Sequence, residues 1–253
     1  MAAAVPSPLL DVQRLSKRFG GVVASAGIDL QIAAGEVHAL IGPNGAGKST
    51  LVAQLAGQLR PDAGRIVFEG DDITRLAPHR RARRGLARSF QITRLFRSFD
   101  VLDNVDLALQ ATGWREAGRH GSTASRRAAR RERARAVLTS IDLADKATAT
   151  VDALSHGERR ALEVGLAIAS GPRLVLLDEP MAGMGADESR RMEALVARIR
   201  VDTTVLLIEH DVDAVFRLAD RVSVLVGGRI IASGAPEAIR RDPGVIDAYL
   251  GDE

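Results

Sequence analysis

Residues 37–55 read VHALIGPNGAGKSTLVAQL, and the stretch changes character twice. Val37–Ile41 is a short unbroken apolar run, the pattern of a parallel strand buried on both faces. Leu51, Leu55 and Leu59 then recur at helical spacing. Between them lies GPNGAGKST, Gly42 to Thr50: a glycine, four residues, then Gly47, Lys48 and Ser49. A glycine-rich turn from a buried strand into a helix lets the backbone N–H groups of Asn44, Gly45, Ala46, Gly47 and the residues up to Thr50 curl round a polyphosphate. The helix N-terminus favours the same negative charge. Lys48 supplies a point charge to the β- and γ-phosphates, and the Ser49 hydroxyl suits Mg2+. Strand, loop and helix in this order predict an α/β fold with a polyphosphate site at the end of a strand.

Two more apolar runs, Leu174 to Leu177 and Thr204 to Ile208, have the same buried-strand pattern. The first closes in LLDEP, which sets Asp178 and Glu179 at the carboxyl end of a strand, where open α/β sheets bind ligands. An isolated acidic pair there reads as a helix cap. Behind a phosphate loop, Asp178 suits Mg2+, directly or through its outer shell, and Glu179 suits the orientation or deprotonation of a water attacking the γ-phosphate. RVSVLVGGRIIASG, 221–234, predicts a hairpin turning at Gly227 and Gly228. From about 92 to 157 strand signals vanish; Val101 to Gln110, Ser125 to Ile141 and the run after 154 have helical character, with a Gly- and Ser-containing loop at 111–124.

LSHGERR, 154–160, places Ser155, His156 and Glu158 within four positions. A nucleophile, its base and the group orienting that base converge from distant parts of a chain, whereas neighbours on one turn splay apart. The segment reads instead as a helix start, with Ser155 as N-cap, Glu158 as the reciprocal cap, and Leu162, Gly165, Leu166 and Ala169 following at helical spacing.

Composition narrows the function. The 253 residues are 46% hydrophobic, long enough for a substantial core. With no cysteine, a disulfide framework and a thiolate metal site are excluded, which fits a reducing compartment. The start of the chain lacks a charged segment followed by a long apolar one, and no run of about 18 apolar residues occurs, so neither secretion nor membrane crossing is expected. The net charge of +3 concentrates in HRRARRGLAR (79–88) and REAGRHGSTASRRAARRERARAV (115–137). No aromatic interleaves the arginines of 126–135, so the stacking surface of a single-strand nucleic-acid binder is missing. A solvated helix face is the expectation, and no nucleic-acid partner; lipid contact by the 115–135 segment is left open.

With the phosphate loop, LSHGE and LLDEP in that order, and a helical stretch between the first two, the chain resembles the ATP-binding subunits of ABC transporters over nearly its whole length. The resemblance implies a single ABC ATPase domain over 1–253: a P-loop NTPase (RecA-like) α/β core with an N-terminal antiparallel β subdomain (1–91 and 158–253), and an inserted helical subdomain (92–157) carrying the signature motif. It implies ATP and Mg2+ as ligands and ATP hydrolysis as the activity. The family signature is usually Leu-Ser-Gly-Gly-Gln; here it is Leu154, Ser155, His156, Gly157 and Glu158, whose serine and glycine would contact the γ-phosphate of ATP held by a second subunit. Gln91 matches the glutamine that reaches Mg2+ and the attacking water near the membrane-subunit contact. Phe19 matches the adenine-stacking aromatic, more often a tyrosine, and can equally be a core residue. His210 matches the switch histidine on the γ-phosphate. His38, His79 and His120 match nothing. After DEP the family has an aspartate that couples two sites; MAGMGADE puts Gly185 there, and Asp187 falls two residues late, a departure at the position to which the resemblance assigns that coupling.

GLARSFQITRLFRSFDVLDNV, AGM (182–184), LLIEHDV and DPGVIDAYLG look like the ATPases of importers for branched-chain and other hydrophobic amino acids, with amide and urea relatives. That resemblance implies transmembrane permease subunits, a second ATPase subunit in a homo- or heterodimer, a periplasmic solute-binding protein acting indirectly, and a peripheral position on the cytoplasmic face of the bacterial inner membrane. An ATPase of an envelope lipid export system is the nearest alternative. ATPases of DNA repair or translation usually carry tandem cassettes, and a second phosphate loop is absent from the sequence.

Overall fold

The computed structural model describes residues 7–89, 95–111 and 123–250. In chain order the first elements are β1 (Leu10–Phe19), β2 (Val22–Ile32), β3 (Val37–Ile41), α1 (Lys48–Leu55), β4 (Ala63–Phe68), β5 (Asp71–Asp72), α2 (Pro78–Arg83) and β6 (Leu86–Arg88). There follow α3 (Val101–Ala111), α4 (Thr123–Ser140), α5 (His156–Ile168), β7 (Leu174–Asp178), α6 (Ala186–Ile199) and β8 (Thr204–Ile208). The chain ends with α7 (Val212–Leu218), β9 (Arg221–Val226), β10 (Arg229–Gly234), α8 (Pro236–Arg240) and α9 (Pro243–Leu250). These elements form two compact units, Met1–Arg81 with Thr204–Glu253, and Ala82–Thr203. In the second unit β6, β7 and α6 group with helices α3 to α5.

In the first unit an antiparallel sheet, ordered β2-β1-β4-β5, buries one face. Leu10 and Val12 lie opposite Ile32 and Leu30 on one side and Phe68 and Ile66 on the other, and all six are buried. Strict alternation then fails, because the register shifts between Val12 and Leu15 where Arg14 takes φ 47. The bulge returns Leu15 to the buried face. Beside this sheet the same unit holds strands ordered β10-β9-β3-β8. Strand β3 pairs parallel with both β8 and β9, and every residue of β3 and β8 is buried, which is why they read as unbroken apolar runs. Strands β9 and β10 form the expected antiparallel hairpin, turning at Gly227 and Gly228. Val215 of α7, Ile239 of α8 and Val245 of α9 close over Ala39, Ile41, Val222 and Val224.

In the second unit β6 pairs parallel with β7. Helices α3 and α4 meet the expected boundaries to within two residues. Gly165 lets α5 approach closely, since a Cβ there would stand 2.6 Å from Ile141 Cδ1. The arginines of α4 are not all solvated. Arg130 pairs with Asp106 through two bonds of 2.7 and 2.8 Å, Arg131 pairs with Asp103, and Arg133 donates to the Ala169 carbonyl. Much of the basic run thus fastens α4 to its own unit, and Ala134, Val137 and Leu138 form its buried stripe.

Candidate functional site

Gly42 to Gly47 connect β3 to α1, whose first turn begins with Lys48, Ser49 and Thr50, and the loop is pressed against its surroundings on two sides. A Cβ at Gly42 would lie 2.0 Å from the Leu225 carbonyl oxygen of β9; one at Gly47 would lie 2.3 Å from the Ala24 carbonyl oxygen of β2. Gly47 also holds φ 105, open to glycine and strained for other residues. The hairpin clamps the loop further, since the Gly228 N–H donates to the Ala46 carbonyl at 2.9 Å. Lys48 is buried and its ammonium bends back to the Gly42 and Pro43 carbonyls at 2.6 and 3.0 Å, holding positive charge over the loop. Gly47 caps α1 without a side chain, and the first turn carries no acid, so nothing anionic is built into this helix N-terminus. Asn44, Gly45 and Ser49 are exposed, Thr50 is half-buried and Ala46 is buried.

His210 leaves β8 at the same end at which the loop leaves β3. Leu40 stands opposite Ile208 in the parallel pair, so Gly42 and His210 each follow two residues later. Glu209, buried between them in sequence, accepts the His210 N–H at 3.3 Å, and the His210 side chain is exposed. Phe19, at the end of β1, is half exposed, with the Lys17 ammonium 5.6 Å from its ring centroid. It is not a core residue.

The second unit holds the acidic pair and the signature segment. Asp178 ends β7 with its side chain 1% exposed; Oδ2 takes Arg88 Nη2 at 2.7 Å, and Oδ1 is buried with no hydrogen-bond partner. Glu179 takes φ 50, a left-handed conformation that costs a branched-off side chain of this kind about 1–2 kcal/mol. Ser155 caps α5 by accepting the Glu158 N–H at 3.2 Å, and Glu158 Oε2 accepts the Ser155 N–H at 2.9 Å, the reciprocal box expected. Burial alone would raise the Glu158 carboxyl, but Lys146, bonded to Oε1, and the Ser155 N–H outweigh it and hold the group below its ordinary range. His156 points Nε2 to the Ala182 carbonyl at 3.4 Å rather than to Ser155, so no nucleophile–base pair exists. The Gly157 N–H donates to Glu188 Oε1 at 3.1 Å. Gly185 caps α6 with open space around its Cα. Gln91 lies outside the described residues, as does most of the loop at 111–124. Arg88, Lys146, Glu188 and Glu209 escaped the sequence reading; only Arg88, closing a short strand, sits where a motif search could have paused.

A family model described as "ABC transporter" matches residues 26–182, well over half of the chain. The chain belongs to the ABC transporter family. A second model, "Branched-chain amino acid ATP-binding cassette transporter", matches residues 229–253 of the cassette. High-affinity branched-chain amino acid transport ATP-binding proteins, BraF of Pseudomonas aeruginosa and LivG of Escherichia coli K12, are each 38% identical to it, over 97% of this chain and 98% of theirs. A lipopolysaccharide export system ATP-binding protein, LptB of Acidithiobacillus ferridurans, is 35% identical over 98% of both chains. In the solved structures, the ADP conformation of MJ1267, an ATP-binding cassette of an ABC transporter, superposes with a TM-score of 0.84 at 28% identity, over 96% of this chain and 99% of that one. The cassette binds ATP and hydrolyses it in the service of transport. Its P-loop NTPase fold, with the antiparallel sheet at the N-terminus, is the one expected from the sequence.

The residues fit the ligands the family uses. The loop is a backbone cradle that a Cβ would fill, its lysine is held in place, and its helix N-terminus lacks a capping side chain. The unpaired Oδ1 of Asp178, a hard oxygen donor, suits Mg2+.

Proposed function

We propose that the cassette is the ATPase subunit of an importer for branched-chain or other hydrophobic amino acids, or an amide- or urea-type solute. It works at the cytoplasmic face of the bacterial inner membrane, held there by transmembrane permease subunits and supplied by a periplasmic solute-binding protein that it does not touch. Among the described residues no helix is long and apolar enough to cross a membrane, which accords with a peripheral subunit. The observation that carries the solute class is the match of residues 229–253 to the branched-chain family model. Envelope lipid export is the second reading, and it rests on LptB at its lower identity.

In this reading the Gly42–Thr50 loop and Lys48 hold the β- and γ-phosphates, and Phe19 stacks on adenine. Ser49, Asp178 and Gln91 would hold Mg2+, which neutralises phosphate charge when bound. Glu179 orients the attacking water and takes its proton as the new P–O bond forms and the β–γ bridge breaks. His210 hydrogen-bonds the γ-phosphate. Ser155 and Gly157, beside Glu158, meet the γ-phosphate of a second subunit, where the N-terminus of α5 favours negative charge.

The test uses Glu179→Gln, which retains shape and nucleotide while hydrolysis nearly stops. Size-exclusion chromatography with light scattering should show a dimer with Mg2+-ATP and none with ADP, and adding Ser155→Arg should abolish it. If the protein does not pair with itself, the same test is run with the ATPase that co-purifies. An ATP-dependent pair that survives Ser155→Arg overturns the role of the signature segment. The membrane proteins that co-purify decide between importer and lipid exporter.

A further inference from the structure

We propose that Arg88 is a positioning residue that sets Asp178 for Mg2+, an inference that rests on the reading of Asp178 as a magnesium residue. The two residues lie on neighbouring parallel strands, β6 and β7, in one unit, where Arg88 pairs in register with Leu176 and its guanidinium reaches forward to Asp178. The contact is made to one carboxylate oxygen only. Arg88 Nη2 takes Oδ2 at 2.7 Å, while Oδ1 stays buried without a partner. A guanidinium commonly grips a carboxylate with both prongs on both oxygens. Here the single-point grip fixes the rotamer and leaves one oxygen undirected.

The next residue fixes the backbone of the same aspartate. Ser89 Oγ accepts the Asp178 N–H at 3.3 Å, and the Ser89 N–H is itself anchored on the Leu176 carbonyl at 2.9 Å. Successive residues at the end of β6 therefore hold Asp178 at its main chain and at one side-chain oxygen. A carboxylate with 1% exposure is costly without a cation, and Arg88 offsets that cost from the side away from Oδ1. The observed arrangement does what an outer-shell partner does for a metal ligand: it orients the ligand and leaves the donor atom open.

The test measures binding, with turnover playing no part. The whole protein is titrated with a non-hydrolysable fluorescent ATP analogue at a series of Mg2+ concentrations and in EDTA, giving the Mg2+ concentration that half-saturates the gain in affinity. Arg88→Met should raise that concentration about tenfold, the usual loss when an outer-shell partner is removed, and leave the affinity in EDTA within about twofold of wild type. Arg88→Lys retains charge without the planar fork and should raise it less, in the same direction. Asp178→Asn is the companion variant. If it leaves the Mg2+ requirement unchanged, the reading of Asp178 fails and the role of Arg88 falls with it. If it raises the requirement while the Arg88 variants leave it unchanged or lower it, Asp178 stands and the positioning role is overturned. Should Arg88→Met fail to fold, Arg88→Lys decides alone: a rise of about threefold or more supports the proposal, and an unchanged requirement refutes it.

Discussion

Arg81→Met should destabilise the first unit more than its place in an arginine-rich run suggests. Arg81 is 1% exposed, and its guanidinium donates to four main-chain carbonyls: Leu76 at 3.0 Å, Gln54 at 2.8 Å, Leu55 at 2.6 Å and Thr74 at 3.0 Å. Burial pushes its pKa down to about 10, Asp72 opposing the shift, so it is still cationic at neutral pH. It thus places a positive charge against the last carbonyls of α1, where the helix dipole is negative. Methionine approximates the volume and donates nothing. Gln54 O retains the Gly57 N–H at 3.1 Å, so three carbonyls lose the guanidinium without that substitute. At about 1.5 kcal/mol net for each lost bond to a charged donor, the low end of the range, the three carbonyls cost about 4–5 kcal/mol, less whatever water entry recovers. For a chain of this size that is a fall in Tm of roughly 10 °C. Urea unfolding at pH 7 followed by circular dichroism reads it directly. Because Lys48 begins α1 and Arg81 holds its far end, the folded fraction of the variant should still bind nucleotide. A loss below about 1 kcal/mol would refute the argument, and show that the carbonyls are satisfied by water once the guanidinium is gone.

Gly47→Ala and Lys48→Ala should separate loop shape from loop charge. The alanine Cβ at 47 would stand 2.3 Å from a backbone oxygen at φ 105, so stability falls by about 2 kcal/mol or more along with nucleotide binding, whereas Lys48→Ala loses binding and turnover at a cost of about 1 kcal/mol. Equal thermal shifts in the two variants, measured without nucleotide, would count against this account. Glu158 has a folded pKa depressed below its ordinary value, so its contribution is present above about pH 4.5 and is lost as pH falls through the folded value. Glu158→Gln should therefore be less stable than wild type at pH 6 by about 0.5–1 kcal/mol, with the gap closing as the pH falls below about 4.5; a constant gap would mean that the ionised carboxylate gains nothing from Lys146 and the Ser155 N–H.

The parts of the fold that were legible in sequence are those whose period survives in the structure. Strands β3, β7 and β8 are buried at every position and read as apolar runs; the Ser155–Glu158 box is a local pattern confirmed by local hydrogen bonds. Strand β1 was illegible on its own because the bulge at Arg14 shifts Leu15 off the alternation begun by Leu10 and Val12, and only the family resemblance supplied its sheet. The arginines were misjudged for a different reason. Composition cannot distinguish Arg81, fully buried on carbonyls, from its exposed neighbours in the same run, since the partners are main-chain atoms that carry no sequence signal. The partners of the site, Arg88 for Asp178 and Glu188 for Gly157, come from positions 90 and 31 residues away, beyond any local pattern.

A functional constellation can be told from a structural one in this chain by what is left unsatisfied. Glu36, His38 and Ser223 form a relay, His38 Nδ1 lying 3.0 Å from Glu36 and Nε2 2.8 Å from the Ser223 hydroxyl, which is the order of a hydrolase triad. Yet Ser223 is fully buried and also bonds Ser233 at 2.9 Å, so the relay stitches β3 to β9 and β10 and offers no atom to a substrate. Asp178 differs in having a buried oxygen with no partner. Glu179 differs in its backbone. Among the described residues four other than glycine have positive φ, and of these Arg14 sits in a bulge, Glu69 precedes Gly70 in the turn between β4 and β5, and Asp142 follows the end of α4, each an ordinary place for that conformation. Glu179 alone follows directly on a buried parallel strand, where neither a hairpin nor a helix end requires the strain. Strain and an unpaired carboxylate oxygen on adjacent residues are what a site built for something outside the chain retains, and what the satisfied relay at His38 lacks.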